Sequence, residues 1–276
     1  MTQFINNSEI NTLLFSGQRT AFTSPSEKAR VLSFEDCTGK ALLAQFYLAT
    51  DASPNIIFFP STKTPLEQYE GMAASYNQQG INVLILSYRS DNGSNDCLTL
   101  EQFYQDGRQL FDQASNWLKD NSCTGTLFVM GQALGSILAI DTAFKHSEAI
   151  KGLLLESAIS QTGEYLKSLG VTTDSIDGLE ENGFRNLEKI EKIKLPTLIF
   201  HGARDPLIPI AEAEKLQATS GARSKQFFII PGAQHDNLYL IGGPLYFETI
   251  KKFIDTLCGV NTWRQKRRKY NESQES

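Results

Sequence analysis

Six short apolar runs recur along this chain: Ile56-Ile57-Phe58-Phe59, Val83-Leu84-Ile85-Leu86, Leu127-Phe128-Val129-Met130, Leu153-Leu154-Leu155, Thr197-Leu198-Ile199-Phe200 and Phe227-Phe228-Ile229-Ile230. Each is too short for a helix and lacks the alternation of a half-exposed strand. Strands covered by helices on both faces read this way, because neither face meets water. The intervening segments suit the crossovers of a parallel sheet. Spacing predicts helices over 66–79, ended by a Gly80 cap, and over 100–119, where Phe103, Leu110, Phe111, Ala114 and Leu118 share a face. Further helices are predicted over 133–145, 210–217 and 245–257. Segments 30–36 and 41–49 are strand-like, joined at Thr38-Gly39 with no room for a helix, and read as an antiparallel hairpin at one edge. The expectation is an α/β fold: an eight-stranded, mostly parallel sheet with an antiparallel N-terminal hairpin and helices on both faces.

The remaining stretches set the organisation. Residues 1–29 read as an N-terminal segment and 30–260 as a single α/β domain. The more polar 157–193 is a small helical insertion after the sixth strand. Residues 261–276 read as a basic polar tail, carrying Arg264, Lys266, Arg267, Arg268 and Lys269, that is solvated and not a nucleic-acid or membrane contact. With 41% hydrophobic and 21% charged residues the chain can bury a sizeable core, and its net charge of −5 gives no general attraction to nucleic acid or anionic lipid. The polar start lacks a signal-peptide pattern, no run reaches the ~20 apolar residues of a membrane span, and Cys37, Cys97, Cys123 and Cys258 are scattered. Reduced thiols in a cytoplasmic protein are expected. Three histidines and four scattered cysteines offer no metal spacing. The loop after Ile56–Phe59, Pro60-Ser61-Thr62-Lys63-Thr64-Pro65, carries no glycine-rich phosphate motif, which disfavours a nucleotide-binding domain. No cofactor is expected; oligomeric state is open.

Three loops after predicted strands carry the chemistry. Gly131-Gln132-Ala133-Leu134-Gly135-Ser136 follows Leu127–Met130 and fits G-x-S-x-G except at the centre, where Ala133 stands. The sharp strand-to-helix turn of that motif needs glycine at 131 and 135, and pushes residue 133 above the sheet. Asp205 lies in His201-Gly202-Ala203-Arg204-Asp205-Pro206, at the carboxyl end of the next-to-last strand, where α/β sheets carry function. His235 lies in Pro231-Gly232-Ala233-Gln234-His235 after the last strand. Of the other histidines, His146 ends a helix, where a cation suits the dipole, and His201 packs at a strand terminus. Taken singly, each loop also reads as an ordinary turn. Together they give the order nucleophile turn, acid, histidine, which is the chain order of α/β-hydrolases.

From about residue 30 to 259 the chain therefore resembles the α/β-hydrolase superfamily. Its near-capless form, with the 58–69 segment and Leu86-Ser87-Tyr88-Arg89, looks like the group of Bem46-like and ABHD-type hydrolases. The resemblance implies acyl transfer when serine occupies position 133. His235 is then the general base, Asp205 its orienting acid, and the Leu134 N–H one oxyanion donor. Thr62 supplies the second, if Pro60-Ser61 takes the place of the His-Gly common in relatives. Ala133 has no nucleophilic atom, and Ser136 lies about one helical turn further on. As it stands the chain is expected to be inactive. Two readings stay open: a serine hydrolase in a nucleophile-to-Ala form, acting on a small ester, thioester or amide, or a natural hydrolase-like ligand binder. The insertion residues Tyr165, Leu166, Leu169, Leu179, Phe184 and Leu187 either line an acyl pocket or pack the insertion onto the sheet.

Overall fold

The computed structural model describes residues 8–15, 28–89, 98–173 and 178–260. The proposed basic tail, most of the N-terminal segment and Cys97 lie outside the described residues. In chain order the elements are α1 (Ser8–Phe15), β1 (Arg30–Glu35), β2 (Ala41–Tyr47), β3 (Asn55–Phe59), α2 (Glu70–Gln78), β4 (Asn82–Leu86), α3 (Leu100–Asp120), β5 (Leu127–Gln132), α4 (Gly135–Lys145), β6 (Gly152–Glu156), α5 (Thr162–Ser168), α6 (Asn186–Lys192), β7 (Thr197–Gly202), α7 (Ile210–Thr219), β8 (Lys225–Ile230) and α8 (Leu238–Leu257). The eight strands form one sheet in the order β1-β2-β4-β3-β5-β6-β7-β8. β1 pairs antiparallel with β2, and β2 with β4; every later pairing is parallel. The mostly parallel eight-stranded sheet with its antiparallel start is as the sequence predicts.

The central strands β3, β4, β6 and β7 are buried along their whole length, and β5 from Phe128 onward. Alternate residues feed two cores. Ile57 and Phe59 join one, with α3, α4 and the insertion; Ile56 and Phe58 join the other, with α2 and α8. The sheet thus separates two dry layers, and its carboxyl ends are where the loops are free to carry polar side chains.

Four local expectations are corrected. The predicted helix 66–79 opens as a 3-10 turn, Leu66–Tyr69, before α2 begins. The helix predicted from 133 starts at Gly135, because Ala133 is left-handed at φ 48°. β8 is an edge strand with partly exposed Phe228 and Ile229, not a strand buried on both faces; run hydrophobicity does not distinguish the last strand of a sheet from an inner one. The helix predicted from 245 begins at Leu238 and is broken at Gly243, where φ is 50° and Pro244 restarts it. The apolar insertion residues pack: Leu166 and Phe184 are fully buried, Tyr165 nearly so, and Leu169, Leu179 and Leu187 lie against the same core.

Candidate active site

The turn after β5 is made by local sterics. Ala133 takes a left-handed backbone that costs an L-residue roughly 1–2 kcal/mol, and its N–H is held by the Glu156 carbonyl at 3.0 Å, at the end of neighbouring β6. A Cβ on Gly131 would sit 2.6 Å from Ala139 Cβ, and one on Gly135 would sit 2.2 Å from the Phe59 carbonyl oxygen and 2.4 Å from that of Pro60. Both glycines are therefore required by close approach. α4 presses its first turn directly against the loop that follows β3.

That contact gathers two backbone donors. Leu134 stands at the N-terminus of α4, and Thr62 lies buried in the loop after β3. Among the described residues, neither N–H has a hydrogen-bond acceptor. A helix N-terminus also biases its surroundings toward negative charge.

The loops after β7 and β8 supply the acid and the histidine. His235 Nδ1 is 2.9 Å from Asp205 Oδ2. Asp205 Oδ1 accepts the N–H groups of Leu207 and Ile208, both at 2.9 Å. Burial alone would raise the Asp205 pKa, but the His235 hydrogen bond and the two backbone donors outweigh it, and the carboxyl is held below its ordinary value. The carboxylate is 1% exposed and the imidazole 15%, so the ring alone reaches the surface. The Ser157 hydroxyl donates to the His235 carbonyl at 3.1 Å, tying that loop to the end of β6.

The other two histidines and Ser136 take structural places. His201 is fully buried, its Nε2 paired with the Ile208 carbonyl at 2.9 Å, and burial lowers its pKa. His146 caps α4 and packs on Phe111. Ser136 Oγ accepts the Ile159 N–H at 3.2 Å and is fully buried, so it offers no substitute at position 133.

A buried polar chain beneath the turn is not signalled by any motif. The Tyr69 hydroxyl donates to Gln132 Oε1 at 2.5 Å, Gln132 Nε2 to Glu156 Oε1 at 3.3 Å, and the Tyr246 hydroxyl to Glu156 Oε2 at 2.9 Å. Tyr76 and Tyr246 share a further hydroxyl contact at 3.2 Å. Burial raises the Glu156 pKa to about 7, offset in part by Tyr246, Gln132 and the charge of His235. The one sequence hint is a glutamate closing an otherwise apolar strand, Leu153-Leu154-Leu155-Glu156.

A family model described as serine aminopeptidase, S33, matches residues 170–239, the stretch that holds both Asp205 and His235. The α/β hydrolase domain-containing protein WAV2 of Arabidopsis thaliana is 24% identical over 217 residues, covering 73% of this chain and 70% of that protein. The chain is similar to α/β-hydrolase-family proteins in sequence and shares their fold. Protein bem46 of Schizosaccharomyces pombe is 27% identical over 184 residues, which is 65% of this chain and 59% of bem46. The chain thus spans less than two thirds of the bem46 length. A Pyrococcus furiosus esterase shares the fold at a TM-score of 0.69 and 14% identity, with 88% of this chain and 98% of that one covered. Among the described residues no helix is long and apolar enough to cross a membrane, and no group of side chains has metal-binding spacing.

Proposed function

We propose that this chain carries the site of a serine hydrolase in a form that lacks its nucleophile, and that with serine at position 133 it hydrolyses a small carboxylic ester or thioester. The observation that carries this is the Asp205–His235 hydrogen bond, with Asp205 further held by two backbone donors. Such a pair orients an imidazole and favours its protonated form, as a general base needs. Residues 30–260 would act as one catalytic unit, with 157–193 as a small cover.

In the Ala133→Ser chain, the introduced hydroxyl oxygen attacks the acyl carbon while His235 Nε2 takes its proton. The tetrahedral oxyanion is stabilised by the N–H groups of Leu134 and Thr62. Collapse expels the alcohol or thiol, which receives the proton from His235. Water then attacks the acyl carbon as His235 takes its proton; collapse breaks the bond to the introduced serine oxygen, which receives that proton from His235, and the acid is released. In the Ala133 form the first bond cannot be made, and only the effects of binding and the oxyanion donors remain.

The second reading is a ligand-binding protein without catalysis. It is favoured by Ala133 itself and by Pro60-Ser61 in the donor loop. A fluorophosphonate separates the two, because it labels an activated serine with little substrate recognition. Intact mass of the Ala133→Ser chain should show one adduct, at position 133, and the Ala133 form none. A folded Ala133→Ser chain that takes up no adduct rejects the hydrolase reading and leaves ligand binding.

A further inference from the structure

The donor loop departs from His-Gly, yet it is held rigidly by another means. The Tyr88 hydroxyl donates to the Pro60 carbonyl at 2.9 Å. The Ser61 N–H donates to the Tyr69 hydroxyl oxygen at 3.1 Å. Carbonyl 60 and N–H 61 belong to one planar peptide unit, so the two tyrosines grip both ends of a single plane. They reach it from opposite faces of the sheet: Tyr88 lies in the core with α3 and α4, Tyr69 in the core with α2 and α8. With that plane fixed, the backbone dihedrals of Ser61 alone decide where the Thr62 N–H points. Tyr69 also donates to Gln132, the residue before Ala133, and so references the donor loop to the turn.

From this geometry we infer that Tyr69 and Tyr88 are positioning residues that clamp the Pro60–Ser61 peptide and aim the Thr62 N–H at the oxyanion. The inference rests on the reading of Thr62 as second donor. Both side chains are almost wholly buried, Tyr69 1% and Tyr88 3% exposed, and the Tyr69 ring meets Phe58 edge-on. Burial raises both phenol pKa values, so the hydroxyls keep their protons and remain donors. Glycine in the usual motif leaves the backbone free to find the geometry; here the side chains impose it.

Tyr69→Phe and Tyr88→Phe keep the rings and remove only the hydroxyls. Each is placed in the Ala133→Ser chain, with Tyr104→Phe as control. The Tyr104 hydroxyl donates to the Phe184 carbonyl at 3.0 Å, between α3 and the insertion, so this variant also loses one buried hydrogen bond. Fluorophosphonate labelling is followed at saturating probe and across a pH series. The clamp predicts that Tyr69→Phe and Tyr88→Phe slow maximal labelling roughly 10- to 100-fold, less than outright loss of a donor. The half-saturating concentration and the inflection pH stay unchanged, because His235 and Asp205 are untouched. Tyr104→Phe labels at the parent rate. Parent-like labelling by both clamp variants, or equal slowing by the control, overturns the inference. If the Ala133→Ser chain takes up no probe, the hydrolase reading fails and the clamp is judged on the Ala133 chain by amide exchange. Tyr69→Phe should speed exchange at Ser61 roughly tenfold; unchanged exchange overturns the clamp.

Discussion

His235 Nδ1 lies 2.9 Å from Asp205 Oδ2, across the ends of the adjacent strands β7 and β8. The parallel pairing His201 with Ile229 and Gly202 with Ile230 ends both strands at one level, which brings the following loops together. In the Ala133→Ser chain, Asp205→Asn should lower the labelling rate about 10⁴-fold, through loss of the correct tautomer and of the charge facing the imidazolium. His235→Ala should lower it at least as far. Labelling of either variant within tenfold of the parent would show that the pair does not serve position 133.

Glu156 and Asp205 give opposite pH dependences. The native Glu156 pKa of about 7 exceeds the unfolded value of about 4.3, so the native state holds a proton that the unfolded chain has lost. Stability therefore falls as pH rises between those values and levels above. A raised pKa of this size corresponds to about 4 kcal/mol at most. Asp205 is lowered, so its contribution is present above about pH 3.9 and is lost as pH falls through its native value. Urea unfolding of the parent near neutral and near the lower end of the Glu156 window should show the decline, and Glu156→Gln should remove it. An identical slope in the variant would mean that Glu156 does not titrate in that range.

Two glycine-to-alanine changes should act with opposite sign. Gly135→Ala places its Cβ 2.2 Å from a backbone oxygen that has no room to retreat, and should destabilise by several kcal/mol or prevent folding. Gly71→Ala lies in α2 with nothing within 4 Å, and should stabilise by roughly 0.5–1 kcal/mol. Thermal unfolding of both decides; a tolerated Gly135→Ala would mean that α4 does not sit against the donor loop as described.

Asp141 pins the insertion to the core. On α4 it accepts from Arg108 of α3 at 2.8 Å and Lys189 of α6 at 2.9 Å, and it is 3% exposed. Lys189 Nζ also lies 4.2 Å from the Tyr104 ring centroid. Burial would raise the Asp141 pKa, but the two cations hold it low. Asp141→Asn leaves a largely buried Lys189 without its counter-charge and should cost about 3 kcal/mol in urea unfolding. A cost under about 1 kcal/mol would show the pair to be solvent-screened.

The strands, the turn at 131–135 and the loops bearing Asp205 and His235 are legible in the chain because their signals are local. An apolar run, two glycines at fixed spacing and a polar loop after a strand each need only a few neighbouring residues to state them. Position 133 is legible in the same way, but its left-handed backbone is not, and the helix read from 133 starts at Gly135. The exposed edge of β8, the order β4-β3-β5 and the interior fate of Phe184 are not legible, since each depends on which element lies alongside. The same holds for the site's support. Tyr69 meets Gln132 across 63 residues and Tyr88 meets Pro60 across 28, and the Glu156 pKa is set by burial among side chains from β5 and α8. Local steric and solvation patterns determined where the chemistry-bearing loops fall; only the packing of two cores against one sheet decided which side chains hold them, because hydrogen bonds and desolvation depend on distance in space and not along the chain.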